Sequence, residues 1–283
     1  MVDNHHSQLV TCGTVFQGIC YSRRLSNISL NKTEVVTSSN YQFVASTKHS
    51  NPAVAFVAPG PSDSVSLYVG TDDRPSAELY QYRQYTCGVT RRHLIGNDIF
   101  GFPKPTSIDL VGSFAYVSKN AATSPNFVVK YVTGFSVGNF SYFISTQPVE
   151  YPPISSTPIV SKLAQVCHQD KYFDSYVEMP IVCRSSQKDY KLIQAASLVQ
   201  PGSRLGLPSS EYLLAAVFYG QPDSALCVYP LSDIRRRFTD NIQACHNSST
   251  LYAGKQFVYY NDRYEPKKIR LCKDDTQVRQ RLT

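Results

Sequence analysis

Apolar and polar residues alternate with a period of two along most of the chain. In Ser64-Val65-Ser66-Leu67-Tyr68-Val69-Gly70, the side chains of Val65, Leu67 and Val69 share one face, as a half-buried strand requires. The preceding stretch, Ala53 to Ala58, is apolar on both faces, and Pro59-Gly60-Pro61-Ser62-Asp63 supplies turn chemistry between the two. This pair predicts a hairpin. Phe127 to Gln147 repeats it, with Val128 to Phe135, a turn at Val137-Gly138-Asn139, then alternating Phe140, Tyr142 and Ile144. Tyr190 to Val199 and Tyr212 to Gly220 make a third pair, joined through Pro201-Gly202 and Pro208. Ile159 to Cys167 and Ser175 to Cys183 are further strand candidates.

The hairpins begin near residues 53, 127 and 190. A unit of four short strands recurring over roughly 65–70 residues predicts an all-β fold, a large-bladed β-propeller. A β-sandwich alternates too, but does not require strongly apolar hairpins at such long intervals. One helix interrupts the strands, from Ser232 to about Cys245. Ser232 is placed to act as N-cap, and Ile234, Phe238 and Ile242 recur at i, i+4 and i+8. Such a helix is expected over a strand edge or beside a blade.

Composition narrows the class. With 17% charged and 42% hydrophobic residues, long disorder is excluded. The length of 283 residues suggests about two domains. The longest apolar run, Tyr212 to Phe218, is too short for a membrane span. The first twenty residues have neither a basic start nor an apolar run, so no signal peptide is read there. A soluble globular chain is expected. The formal charge of +7 gathers in the tail, where Arg263 to Thr283 alone carry +4. Arg23-Arg24, Arg91-Arg92 and Arg235-Arg236-Arg237 are scattered and read as solvated positions, and no RNA-binding aromatic signature accompanies them.

The eight cysteines include no C-x-x-C pair, so a structural zinc site has little support. Four N-glycosylation sequons begin at Asn27, Asn31, Asn139 and Asn247. Together with the even cysteine count they point to an oxidising compartment. The missing leader clashes with that location. The simplest resolution is that Met1 is not the true start and the chain is a piece of something longer.

Candidate enzymatic chemistry is sparse. Gly134-Phe135-Ser136-Val137-Gly138 is a literal G-x-S-x-G, but a nucleophile elbow needs a helix after the serine. Here a strand-like stretch from Asn139 to Ser145 follows, so a hairpin turn is read instead. In Cys167-His168 and Cys245-His246 the adjacent side chains would point to opposite faces of a strand, unsuited to nucleophile and base. Gln243-Ala244-Cys245 begins like a caspase signature, which His246-Asn247 breaks. Asp72-Asp73 and Asp274-Asp275 read as solvated turns rather than metal ligands. No P-loop or Rossmann glycine pattern is present, no cofactor is implied, and the chain is not read as an enzyme. The cysteines say more. Cys12 and Cys20 are evenly spaced with glycines just inside them, and a hairpin would bring them together. Such a loop would stabilise by roughly 2.5 kcal/mol and one of about 45 residues by roughly 4. Sequence spacing alone leaves all 105 connectivities of eight cysteines open.

Several phrases carry a resemblance. Leu9-Val10-Thr11-Cys12-Gly13, running through Phe16-Gln17-Gly18-Ile19-Cys20 to Arg23-Arg24-Leu25-Ser26-Asn27-Ile28-Ser29-Leu30, closely resembles plexin sema domains. Ala53 to Pro61 with Leu67-Tyr68-Val69-Gly70, and Val132-Thr133-Gly134-Phe135 with Asn139-Phe140-Ser141-Tyr142-Phe143, are similar to that family's strand pairs. The most specific run is Cys167-His168-Gln169-Asp170, then Ser175-Tyr176-Val177-Glu178-Met179-Pro180-Ile181-Val182-Cys183. It continues through Tyr190-Lys191-Leu192-Ile193-Gln194-Ala195-Ala196 and Pro201-Gly202 to Ser224-Ala225-Leu226-Cys227. Plexins and hepatocyte-growth-factor-receptor kinases share this order, semaphorins match it less well, and the Arg-Arg-Leu-Ser-Asn-Ile-Ser phrase selects plexin.

The resemblance covers about residues 8–246. It implies a seven-bladed sema propeller, of which this chain would supply four to five blades. The propeller is assigned to residues 1–254, with 255–283 a basic tail that is only loosely family-like. The implied function is the extracellular ligand-binding part of a plasma-membrane receptor that binds semaphorins and transmits guidance or adhesion signals. A receptor homodimer or a co-receptor would be a further partner. By the same resemblance Cys12 pairs with Cys20, Cys183 with Cys227, and Cys245 with Cys272. Cys167 is expected to reach a partner beyond this chain, and Cys87 has no counterpart. The ligand zone falls around residues 120–220, with no individual contact residue assigned. No catalytic residue is carried over. The alternatives are the ectodomain of a hepatocyte-growth-factor-receptor-type kinase, or a soluble sema-domain decoy or adhesion protein.

Overall fold

The computed structural model describes residues 1–14, 18–31, 44–46, 51, 53–72, 87–96, 99–101, 114–116, 126–149, 157–173 and 175–247. Within them, antiparallel sheets follow one another in chain order. The first runs β1 (Val2–Asp3), β2 (Gln8–Cys12), β3 (Cys20–Arg24) and β4 (Asn27–Asn31), each strand paired with the next. The second is β5 (Val54–Pro59), β6 (Val65–Asp72), β7 (Cys87–His93) and β8 (Phe114–Tyr116). The third is β9 (Lys130–Val137), β10 (Phe140–Pro148), β11 (Ile159–Cys167) and β12 (Val177–Ile181). A two-strand hairpin, β13 (Cys183–Arg184) and β14 (Asp189–Tyr190), leads to a fourth sheet of β15 (Leu192–Val199), β16 (Leu213–Tyr219) and β17 (Ala225–Pro230). Helix α1 (Leu231–Asn247) follows.

Three cores lie between consecutive sheets and bind them into a stack. Val10, Cys20 and Val44 meet Leu67, Val69 and Phe100 between the first two. Ala58, Tyr68 and Val89 meet Tyr131, Phe143 and Val166 between the second and third. Tyr142, Ile144 and Leu163 meet Ile193, Leu214 and Phe218 between the third and fourth, with Ile234, Phe238 and Ile242 of α1 in the same cluster. The first strands β5, β9 and β15 lie side by side. Antiparallel meanders of three or four strands stacked face to face make a β-propeller, and four of its blades lie among the described residues.

The stacking explains one departure from the sequence pattern. β6 is not half-buried: Leu67 and Val69 face the first blade while Tyr68 faces the third, and all three are buried. A blade inside the ring has a sheet on each side, so both faces are apolar. The expected hairpins at 53–70, 127–147 and 190–220 are otherwise present, as β5–β6, β9–β10 and β15–β16. The strand candidate 175–183 breaks at Val182 into β12 and β13.

The helix starts one residue before Ser232, so Ser232 lies inside its first turn. Its N–H is taken instead by Glu211 Oε1 at 3.2 Å, and the Leu231 N–H by the Tyr212 carbonyl at 2.8 Å. Donors orphaned at the helix start are thus satisfied by the segment entering β16. The helix packs along β12 and β17, between the outer strands of two blades. The assigned tail 255–283 lies outside the described residues.

Candidate ligand-binding region

Blades three and four, together with the turns joining them, make up most of the span from 120 to 220. The third blade is clamped to the second by Arg91 of β7, which is buried. Its guanidinium donates to the carbonyls of Asp170 at 2.6 Å and Lys171 at 3.1 Å, reaches that of His168 at 3.5 Å, and lies 5.6 Å from the Phe173 ring centroid. Burial pushes the Arg91 pKa down. The turn at 168–173 is shaped to receive it. Asp170 accepts from the Tyr172 N–H at 2.9 Å and from the Ser175 N–H and hydroxyl, both at 2.6 Å. Gln169 Oε1 accepts the Ser62 N–H at 3.1 Å, a second tie between these blades.

Sequence reasoning missed one juxtaposition in the same place. Ser136 Oγ stands 3.1 Å from His168 Nε2. The two residues are far apart in sequence, but β10 pairs with both β9 and β11 and brings their ends together. This is the serine of the G-x-S-x-G stretch, now with a histidine beside it. Its geometry is nevertheless that of a hairpin, since Ser136 sits within β9 and strand β10 follows at once. Burial drives His168 down to about 4, helped by Arg91 and opposed by a hydrogen bond to the Phe140 main chain. A general base at neutral pH needs a pKa nearer 7. The charged group beside the imidazole is a guanidinium, where a catalytic triad has a carboxylate.

Both glycines of the stretch have structural reasons. A Cβ at Gly134 would overlap the Phe56 ring of the second blade, and Gly138 turns the hairpin with φ +60°.

A buried ion pair was also not anticipated. Lys162 Nζ lies 3.2 Å from Glu178 Oε2, and the Tyr176 hydroxyl donates to Glu178 Oε1 at 2.7 Å. Burial pushes Glu178 up and Lys162 down, and their mutual attraction opposes both shifts. Cross-strand partners on β11 and β12 have no sequence signature of their own.

Cys12 and Cys20, opposite each other on β2 and β3, are bonded with Cα atoms 4.0 Å apart. Cys183 on β13 is bonded to Cys227 on β17, with Cα atoms 5.8 Å apart. Cys167 corrects an expectation: it is disulfide-bonded within this chain rather than left for a partner beyond it. Its partner lies outside the described side chains. Cys245 lies near the end of α1, and Cys272 lies outside the described residues. Asn27 and Asn139 are exposed, at the start of β4 and in the β9–β10 turn. Asn31 and Asn247 close β4 and α1, and the rest of their sequons falls outside the described residues. Asp72, one of the paired carboxylates, accepts the Val129 N–H at 3.1 Å, while Asp73 and Asp274-Asp275 lie outside. Among the described residues no cluster of three His, Cys, Asp or Glu could hold a metal ion, and no helix is long and apolar enough to cross a membrane.

Comparison with known proteins finds similarities of sequence and of fold. Residues 193–279 match the Sema domain. The chain is 29% identical over 277 residues to Plexin-A4 of Mus musculus, covering 87% of this chain and 14% of Plexin-A4. Plexin-A2 of Mus musculus is 26% identical over 275 residues, with the same coverage. The chain therefore spans about a seventh of these relatives. Among solved structures, the full extracellular region of plexin A4 superposes with a TM-score of 0.73 at 26% identity, covering 96% of this chain and 32% of that one. Drosophila Semaphorin 2a shares the fold, with a TM-score of 0.57 at 18% identity over 96% of this chain and 43% of that one. The chain is thus similar to plexins along most of its length, matches the Sema domain over residues 193–279, and shares its fold with the plexin A4 extracellular region.

Proposed function

We propose that this chain is the extracellular ligand-binding part of a plexin-type receptor at the plasma membrane, with a semaphorin as its protein ligand. The observation that carries this reading is the superposition on the plexin A4 extracellular region, with a TM-score of 0.73 over 96% of the chain. The role is one of binding rather than catalysis, in keeping with a Ser136–His168 contact whose imidazole is a weak base. The ligand zone is assigned to residues 120–220, and the propeller to residues 1–254. Glycans are assigned to Asn27 and Asn139, both exposed, and to Asn31 and Asn247.

The Cys245–Cys272 pairing is kept as part of this reading, with a consequence. Cys167 then has only Cys87 left to bond, because the other four cysteines are taken. Non-reducing peptide mapping decides between that pair and one in which Cys167 takes Cys245 or Cys272. For the ligand, the chain is displayed on cells through a heterologous membrane anchor and exposed to a panel of labelled semaphorin ectodomains. Saturable binding by at least one is expected. A folded, surface-displayed chain that binds none of them overturns the reading.

A further inference from the structure

At the rim of the propeller the core between the third and fourth blades opens to the surface beside helix α1. Between the outer edge of β12 and helix α1 lies a cleft of about 570 Å³, within the range of ligand-holding pockets. β12 is an edge strand, paired on one side with β11. The cleft is lined by Met179, Ile181, Tyr229 and Ile234, and the Tyr229 hydroxyl donates to the Val182 carbonyl at 3.0 Å.

Three guanidiniums also line it: Arg184 from β13, and Arg236 and Arg237 from α1. Arg184 and Arg236 have 77% and 62% of their side chains exposed, so a ligand can reach both. Arg184 meets Asp189 only at 3.6 Å, Arg236 is paired with Asp233 at 2.7 Å, and among the described residues no carboxylate is ion-paired with Arg237. The basic run of the helix is thereby divided. Arg235 turns inward, donating to the Val137 carbonyl at 3.1 Å and lying 5.7 Å from the Phe140 ring centroid, while its two neighbours face the cleft.

We propose that this cleft binds an extended acidic peptide segment of a partner protein, with apolar side chains set among its carboxylates. An apolar floor edged by arginines is complementary to such a segment, with apolar anchors giving affinity and arginine–carboxylate pairs giving register. An extended chain suits a cleft whose one wall is a strand edge and whose other is a helix. A sulfated glycan fits less well. It would leave the apolar floor of Met179, Ile181, Tyr229 and Ile234 unused. The proposal does not depend on the semaphorin reading, since the cleft lies on the outer rim and the probe is a peptide.

The test uses the full chain and a fluorescein-labelled hexapeptide with two central leucines flanked by aspartates. Its controls are the same peptide with central serines and a heparin hexasaccharide. The leucine peptide is expected to give saturable anisotropy that weakens with added salt. Replacing Arg184→Glu together with Arg237→Glu is expected to weaken it at least ~10-fold. Both positions are exposed, and an unchanged thermal midpoint shows that the double variant is folded. Arg184→Lys with Arg237→Lys serves as a second variant and is expected to retain part of the affinity. No saturation up to ~1 mM peptide overturns the proposal. So does equal affinity for the serine peptide, or saturable binding of the heparin fragment alone.

Discussion

Arg91 is the residue whose loss is expected to cost most at the junction of two blades. Removing its buried guanidinium breaks the hydrogen bonds to the part-buried carbonyls of Asp170 and Lys171 and takes away the tie between the two blades. Arg91→Met is expected to destabilise by about 3 kcal/mol, with Arg91→Lys recovering part of it, as read from urea midpoints. An Arg91→Met midpoint equal to that of the parent would show that the clamp contributes nothing. His168 sets a pH dependence nearby. Folded, it titrates near 4; unfolded, near 6.5. Between those values the unfolded chain binds a proton that the folded chain refuses. Stability from this group is therefore full above pH ~6.5 and lost as the pH falls toward ~4. The groups facing the imidazole are Arg91 and Tyr68 from the second blade and Ser136 and the Phe140 main chain from the third. The urea midpoint should fall between pH 7.5 and 4.5, and His168→Gln should reduce that fall. An undiminished fall in the variant would assign the acid sensitivity to other groups.

Among the elements, the hairpins were legible because each needs only local information: a period of two, a turn cluster, and a glycine such as Gly138. The helix was legible through Ile234, Phe238 and Ile242, all of which are buried. Its start was not, because the group that satisfies it, Glu211, lies 21 residues upstream. The same limit hid the Ser136–His168 contact and the Lys162–Glu178 pair, which depend on which strands become neighbours. For the helix, Phe238→Ala removes a buried ring 6.5 Å from that of Tyr142 and is expected to cost about 4 kcal/mol. Hydrogen exchange should then rise along 231–247 more than in β9–β11. Replacing both Cys183 and Cys227 with alanine opens a loop of 44 residues and should cost about 4 kcal/mol, measured by thermal or urea unfolding.

For the whole molecule, the period of the hairpins predicted the blades but not what each blade faces. Sheets inside the stack are apolar on both sides, so burial there departs from simple alternation. The outward face of the fourth sheet is apolar as well: Val217, Leu226 and Val228 are exposed. These positions have the character of the faces by which the other blades stack. The 283-residue chain purified alone is therefore expected to bind a hydrophobic dye and self-associate. Leu226→Lys with Val228→Thr should lessen both without lowering the thermal midpoint by more than about 1 kcal/mol equivalent. Unchanged dye binding in that variant would place the sticky surface elsewhere.

The proposed role has a semaphorin held by the middle blades of this plexin-like stack. Hydrogen–deuterium exchange of the chain, with and without a bound semaphorin ectodomain, tests it most directly. New protection is expected to concentrate within residues 120–220, above the protection already present in the strand cores. Protection confined to β1–β8, or none at saturating semaphorin, would contradict it.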